Sequence, residues 1–273
     1  MVIFECRKEL EKILEKADVF DERFEASEII KQILGRDKLH FPSDEISDGE
    51  YEKMLSLAKK RATGIPLQYL FGEWEFYGLP FFVGKGVLIP RPETELLVDL
   101  AVKYATKESL VLDLCSGTGA IPVAITKTAG CKAFAVELYD EAFSYLEKNI
   151  KRNNASVTPV QADALLETDE ISDYEFDIIT SNPPYLTDSE MDRLQREVRY
   201  EPETALYGGS DGLYFYRELF PRWKNKLKKG GVFAVEIGDG QEKEVAELVE
   251  KEGFTPRFIH DLNGIARVVY FIK

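Results

Sequence analysis

Asn182, Pro183, Pro184 and Tyr185 are consecutive and carry the sharpest chemical signal in the sequence. The Asn182 side chain offers a carbonyl oxygen, and the backbone carbonyls of Pro183 and Pro184 are acceptors on residues that have no N–H of their own. Each proline ring fixes its own φ and restricts the residue before it, so these acceptors are held in place before a ligand arrives. A planar NH₂ group has two donors to match them, and the Tyr185 ring is a flat surface on which a planar amide or a base can stack. Asn and Pro are also common turn residues, so the loop gains meaning from what precedes it. Phe176-Asp177-Ile178-Ile179-Thr180 is a β-branched apolar run. It predicts a buried strand ending at this loop, where open α/β sheets place their ligands.

A second group lies upstream. Leu110 to Leu114 reads as a strand and leads into Asp113-Leu114-Cys115-Ser116-Gly117-Thr118-Gly119-Ala120, where glycine lets the backbone approach a ligand closely at a helix N-terminus. Gly-x-Gly alone is weak evidence. Pro122 takes the place of the third glycine of a dinucleotide fingerprint, which disfavours a nicotinamide enzyme. Glu137, ending the next strand-like run, suits ribose hydroxyls, and Asp163, after the third, can accept from an adenine amino group. The alternative for each is a solvated acid at a strand end. Arg91, Glu93 and Thr94 adjoin Pro90 and Pro92 at the approach to a helix. They either shape the mouth of the site or serve as caps and surface.

The elements that position these groups follow from periodicity. Leu110 to Leu114, Ala133 to Val136, Pro159 to Gln161, Phe176 to Thr180 and Val232 to Ile237 read as buried strands, with helical stretches such as Glu141 to Asn153 and Leu213 to Lys228 between them. That alternation predicts a parallel sheet covered on both faces. Arg257 to His260 and Arg267 to Phe271 predict a closing antiparallel hairpin. Residues 92–273 therefore form an α/β domain. Residues 1–67 predict a helical bundle: Cys6, Leu10, Ile13, Leu14 and Ala17 share one face, Phe24, Ile29, Ile30, Ile33 and Leu34 a second, and Tyr51, Met54, Leu55 and Ala58 a third. Asp21 and the Ser47-to-Glu50 capping box start the second and third helices. Residues 68–91, with aromatic runs broken by Gly72, Gly78, Pro80, Gly84 and Gly86, predict a β-hairpin connector.

Composition narrows the function. The net charge is −14, from 49 acidic and 35 basic residues, which argues against a chain whose main partner is naked nucleic acid. Cys6, Cys115 and Cys131 show no disulfide or metal spacing, and His40 and His260 stand far apart, so a reducing compartment and no metal are expected. Glu5, Arg7 and Lys8 occupy the place of a signal peptide's apolar core, and no apolar run approaches membrane-spanning length. A cytoplasmic monomer is expected.

Asp113 to Gly119, Glu137 and Asp163 together resemble the S-adenosylmethionine site of class I methyltransferases, and Asn182 to Tyr185 resembles the motif of those that methylate planar nitrogens. Gly64-Ile65-Pro66-Leu67-Gln68-Tyr69, Val87-Leu88-Ile89-Pro90-Arg91-Pro92-Glu93-Thr94-Glu95 and Glu201-Pro202 to Gly212 extend the likeness over nearly the whole chain. The chain resembles the release factor glutamine methyltransferase family, also called HemK or PrmC. The resemblance implies a helical N-terminal domain, a β-hairpin connector and a Rossmann-like seven-stranded class I methyltransferase domain with an antiparallel last strand. It implies N5-methylation of the glutamine in the Gly-Gly-Gln loop of class I peptide chain release factors, with S-adenosylmethionine as donor and S-adenosylhomocysteine as product. Under it, Asp113, Cys115, Ser116, Gly117, Thr118, Gly119, Glu137, Asp163, Ala164 and Asn182 hold the cofactor. Asn182, Pro183, Pro184, Tyr185, Arg91 and Glu93 meet the substrate, with Asn182, Pro183 and Tyr185 catalytic. Ala164 stands where relatives often have a larger side chain, and Glu137 where many have Asp.

On this reading Asn182 and the Pro183 carbonyl accept the two N–H bonds of the glutamine amide and Tyr185 stacks on its plane, so catalysis is by positioning rather than by a general base. Two rivals share these residues. An adenine-N6 methyltransferase acting on DNA or RNA would use the same loop, against the −14 charge and the absence of a Lys/Arg-rich segment interleaved with aromatics. A non-catalytic cofactor-binding adaptor would bind the donor and transfer nothing.

Overall fold

The computed structural model describes residues 1–36, 38–166 and 168–273, and the chain divides into two compact units. One comprises residues 1–72 together with 195–200, the other residues 73–194 with 201–273.

The first unit is helical: α1 Ile3–Lys16, α2 Glu22–Leu34, α3 Asp48–Ala62 and the short α4 Leu67–Phe71. Asp21 accepts from the Phe24 N–H at 3.0 Å and caps α2. Ser47 and Glu50 form the reciprocal box at the start of α3, satisfying donors that the helix itself cannot. Cys6, Leu10, Leu14, Ala26, Ile29, Ile30, Met54 and Ala58 make the core. Phe24 does not join it: the side chain expected on the inner face of α2 is 48% exposed. Arg61, 3% exposed, reaches Glu25 through two nitrogens at 2.6 and 3.0 Å and Glu197 at 3.3 Å. The last of these bonds, with Arg196 Nη1 donating to the Ala62 carbonyl and Tyr200 to that of Thr63, ties residues 195–200 into this unit, a return that no local periodicity announces.

The second unit opens with β1 Glu73–Phe76 and β2 Leu79–Phe82, joined by Tyr77 and Gly78, both at positive φ (54° and 69°) as a two-residue hairpin turn requires. Val87 to Ile89, expected to continue the hairpin, lies outside the strands. A single turn, Pro92–Thr94, precedes α5 Glu95–Tyr104, the helix whose approach the two prolines mark. Then follow β3 Leu110–Leu114, α6 Ala120–Ala129, β4 Lys132–Glu137, α7 Asp140–Asn153, β5 Val157–Gln161, β6 Phe176–Ser181, the short α8 Asp188–Met191, α9 Tyr214–Trp223, β7 Leu227–Glu236, α10 Glu242–Lys251, β8 Arg257–His260 and β9 Ala266–Ile272. The helix predicted from Leu213 to Lys228 is shorter because Leu227 already pairs with Phe176 across the sheet.

The seven strands run in the order β5-β4-β3-β6-β7-β9-β8, with β9 antiparallel to both of its neighbours. Alternate residues face opposite sides, so each strand feeds two cores. Val111, Ile178, Val232 and Ala234 pack on the α5 and α6 side, while Leu112, Ile179, Phe233 and Val235 pack with Tyr216, Phe220 and Val245. Both faces are covered, as nearly continuous apolar strands require. The chain leaves β3 in one direction for β4 and β5 and returns to its other side for β6 and β7. The carboxyl ends of β3 and β6 therefore flank the switch point at which such sheets bind ligands. No helix among the described residues is long and apolar enough to cross a membrane.

Candidate active site

A cavity of about 280 Å³ opens at these strand ends, near the lower limit of ordinary organic-ligand sites. The β3–α6 loop forms its floor. Cys115, Gly117 and Gly119 adopt positive φ of 58°, 53° and 78°, which turns the chain sharply from strand to helix. At Gly119 the positive φ strains any side chain, and an added Cβ would lie 2.5 Å from a Leu146 methyl, so glycine suits the start of α6. Asn149 of α7, fully buried, accepts from the Phe82 N–H at 2.7 Å and donates to the Phe82 and Thr118 carbonyls. One amide thereby fastens the hairpin to the loop.

Glu137 closes β4 facing the cavity. Its carboxylate accepts three backbone N–H bonds, from Gly117 at 2.8 Å, Leu138 at 2.9 Å and Tyr139 at 3.0 Å. Burial pushes its pKa above the usual carboxylate range and the three donors pull it back. Asp163 lines the cavity with its Oδ1 accepting from the Leu165 N–H, and Ala164 lies beside it with its carbonyl held by the Trp223 indole N–H at 2.8 Å. Asn182, at the end of β6, also lines the cavity, and its Nδ2 donates to Thr94 Oγ1 at 3.2 Å. Thr94 in turn donates to Glu236 Oε2 at 2.6 Å.

A family model described as the PrmC N-terminal domain matches residues 5–72, and one described as the methyltransferase small domain matches residues 92–204. A release factor glutamine methyltransferase of Thermodesulfovibrio yellowstonii is 37% identical over 97% of this chain and 98% of its own length. One of Geobacter sulfurreducens is 38% identical over 94% and 91%. The chain belongs to the release factor glutamine methyltransferase family.

Solved structures agree with that family's fold. A methyltransferase from Pyrococcus furiosus covers 72% of this chain and 90% of its own at 22% identity, TM-score 0.56. The hMettl16 catalytic domain, in complex with MAT2A 3'UTR hairpin 6, covers 79% and 81% at 16% identity, TM-score 0.59.

Of the residues singled out from the sequence of this family member, Arg91, Thr94, Cys115, Ser116, Gly117, Thr118, Glu137, Asp163, Ala164, Asn182 and Pro184 come together around the cavity. Asp113, Gly119, Pro183, Tyr185 and Glu93 are not among its lining residues. Asp113 lies beneath the loop, fully buried, with Oδ1 accepting from the Thr180 hydroxyl at 2.6 Å and Oδ2 without a partner. Burial pushes its carboxyl up to about 7. Tyr185 turns its ring into the core beside Gly238, and its hydroxyl lies 3.4 Å from Glu236 Oε1. An apolar ring gains more by that burial than by standing in solvent. Glu93 faces outward.

Three groups support the site without lining it; Gln241 and Glu236 went unremarked in the sequence, and Glu201 was noted there only within the stretch Glu201 to Gly212. Glu201, 6% exposed, accepts from the Ile89 N–H at 2.9 Å and pairs with the Arg91 guanidinium, holding one side of the mouth. Gln241 donates to the Tyr185 carbonyl at 2.9 Å and accepts from the Gly238 N–H and the Tyr216 hydroxyl, bracing the loop from behind. Glu236, 3% exposed, ends β7, and burial pushes its carboxyl up to about 7. A single acid at the end of the run Val232-Phe233-Ala234-Val235 was its only signal.

Proposed function

We propose that this chain transfers a methyl group from S-adenosylmethionine to the side-chain nitrogen of the glutamine in the Gly-Gly-Gln loop of a class I peptide chain release factor. The observation that carries the reading is Asn182: a carboxamide on the cavity wall whose Nδ2 is spent on Thr94, leaving Oδ1 to accept from a ligand's NH₂. Membership of the release factor glutamine methyltransferase family supports the same substrate.

The residues present fit the donor. Glu137 and Asp163 supply the acceptors that a ribose and an adenine amino group need, Ile121, Leu138 and Ala142 supply apolar wall, and the orphaned Asp113 Oδ2 lies under the same loop. Glu137 retains lone-pair capacity beyond its three backbone donors. When bound, the donor supplies an electrophilic methyl on a sulfonium.

The chain's own part is to hold the nucleophile. A carboxamide nitrogen is weak because its lone pair is delocalised, so Asn182 Oδ1 and the Pro183 backbone carbonyl grip its hydrogens and fix its plane. As the nitrogen gains positive character those acceptors bind it more strongly, which favours the transition state over the ground state. The proton then leaves to water or to one of these acceptors. Tyr185 acts from behind, anchoring the loop through its ring.

The adenine-N6 reading would use the same acceptors, and a likeness in fold to the hMettl16 domain extends only to the fold. Incubating the protein with isotopically labelled donor and a purified release factor, followed by mass spectrometry, tests the proposal. The expected outcome is one methyl on the Gly-Gly-Gln glutamine; methyl on nucleic acid and none on the release factor overturns it.

A further inference from the structure

Asn182, Thr94 and Glu236 form a chain of hydrogen bonds that leads from the cavity wall into the core. Only one of its members, the hydroxyl of Thr94, can both donate and accept without turning a plane around, and it has a single proton. An ionised Glu236 accepts only. The Thr94 proton must then go to Glu236, the Thr94 lone pairs are left for Asn182 Nδ2, and Asn182 Oδ1 is left for the cavity. If Glu236 carried a proton, it could donate to Thr94 instead. The Thr94 proton would be free to meet Asn182 Oδ1, and a turned carboxamide would present Nδ2 to the cavity. Two amides facing each other through their NH₂ groups cannot bond.

We propose that Glu236 is a positioning residue that, through Thr94, decides which end of the Asn182 carboxamide faces the cavity, and so reserves the site for a ligand that donates two N–H bonds. The inference rests on the reading of the loop as a glutamine-amide site and deepens it. The surroundings suit a group that switches polarity. Burial and the charge of Glu93 push the Glu236 carboxyl up, while the hydroxyls of Thr94 and Tyr185 and the charge of Arg267 pull it down, leaving it at about 7. Tyr216 donates to the Glu236 backbone carbonyl at 3.0 Å and fixes the end of β7. Glu236 is absent from the cavity lining, so it acts on polarity without touching substrate or donor.

The test uses the full chain with a release factor and saturating donor. In the wild type kcat should rise with pH through about 7 as Glu236 ionises. Glu236→Gln, which cannot titrate, should lose that acid limb while the donor KM stays within about threefold. Thr94→Val should lower kcat about tenfold or more, and Thr94→Ser, which keeps the hydroxyl, should restore it to within about threefold. A second readout needs no substrate: in ¹³C-carboxyl-labelled protein, Glu236 should titrate at higher pH in Thr94→Val than in the wild type, because its charged form has lost a donor. An acid limb that persists in Glu236→Gln, a Thr94→Val enzyme of normal kcat, or a Glu236 titration indifferent to Thr94 overturns the inference. A wild type that methylates no release factor sinks the substrate reading, and the titration arm still decides the polarity relay.

Discussion

Glu137 and Glu236 are the same residue at the same station, the carboxyl end of a strand in one sheet, and both are buried, at 6% and 3% exposure. Their partners differ in kind. Glu137 accepts from three backbone N–H groups at 2.8 to 3.0 Å, whereas Glu236 accepts from the side-chain hydroxyls of Thr94 and Tyr185 at 2.6 and 3.4 Å. Backbone donors cannot turn, so Glu137 is an immobile pair of oxygens facing the cavity, suited to holding a ligand. Hydroxyls can turn, so the charge on Glu236 orders the protons around it and reaches the cavity only through Asn182. A buried acid in this fold therefore serves as a contact or as a director according to whether its donors can rotate.

The largest effect should come from the group that Glu236 is placed to direct. Asn182→Ala removes the acceptor and should lower kcat on the order of 10²- to 10³-fold, with donor affinity, read by calorimetry, largely kept. Comparable losses of affinity and kcat would instead place Asn182 with Glu137 as a donor contact. Glu137→Ala should do the reverse, weakening donor binding roughly 10- to 100-fold while kcat at saturating donor changes little; a kcat loss without an affinity loss would erase the distinction between the two acids.

Stability against pH separates them further. Glu236 has its folded value raised to about 7 from an unfolded value of roughly 4.3, so the stability it contributes is fully present below the unfolded value and is lost as pH rises through the folded one. In urea melts from pH 4.5 to pH 8 the wild type should lose roughly 2–4 kcal/mol relative to Glu236→Gln. Asp113, raised in the same direction, contributes to both proteins and cancels in the difference. Glu137 is also raised by burial but is offset by three N–H donors, so Glu137→Gln should show a shallower slope of the same sign. A slope as steep as that of Glu236→Gln would mean that fixed and turning donors solvate a buried carboxylate alike.

Much of this architecture was legible along the chain. The seven strands, the closing hairpin among them, follow from apolar runs of strand length, and the helix starts at Asp21 and Ser47 from capping chemistry, because both signals are local. Helix and strand ends shifted where a tertiary pairing overrode the pattern, as at Leu227. The floor of the site was legible for the same local reason, since Gly117 and Gly119 sit where a strand must turn into a helix.

Two matters were decided only by folding. Residue types alone made Tyr185 a stacking surface, but the choice between solvent and core depends on the space beside Gly238, and the ring is packed inward. The register that pairs Ser181 with Val235 brings Asn182 and Glu236 off the sheet on neighbouring strands, and the turn at Pro92–Thr94 sets Thr94 between them, 142 residues from Glu236 in sequence. By itself the sequence determined which acceptors the loop offers, because prolines and an amide carry that property wherever they stand. Only the tertiary structure decided which way the amide points, because a hydrogen-bond chain is a relation among distant side chains and has no period to be read from their order.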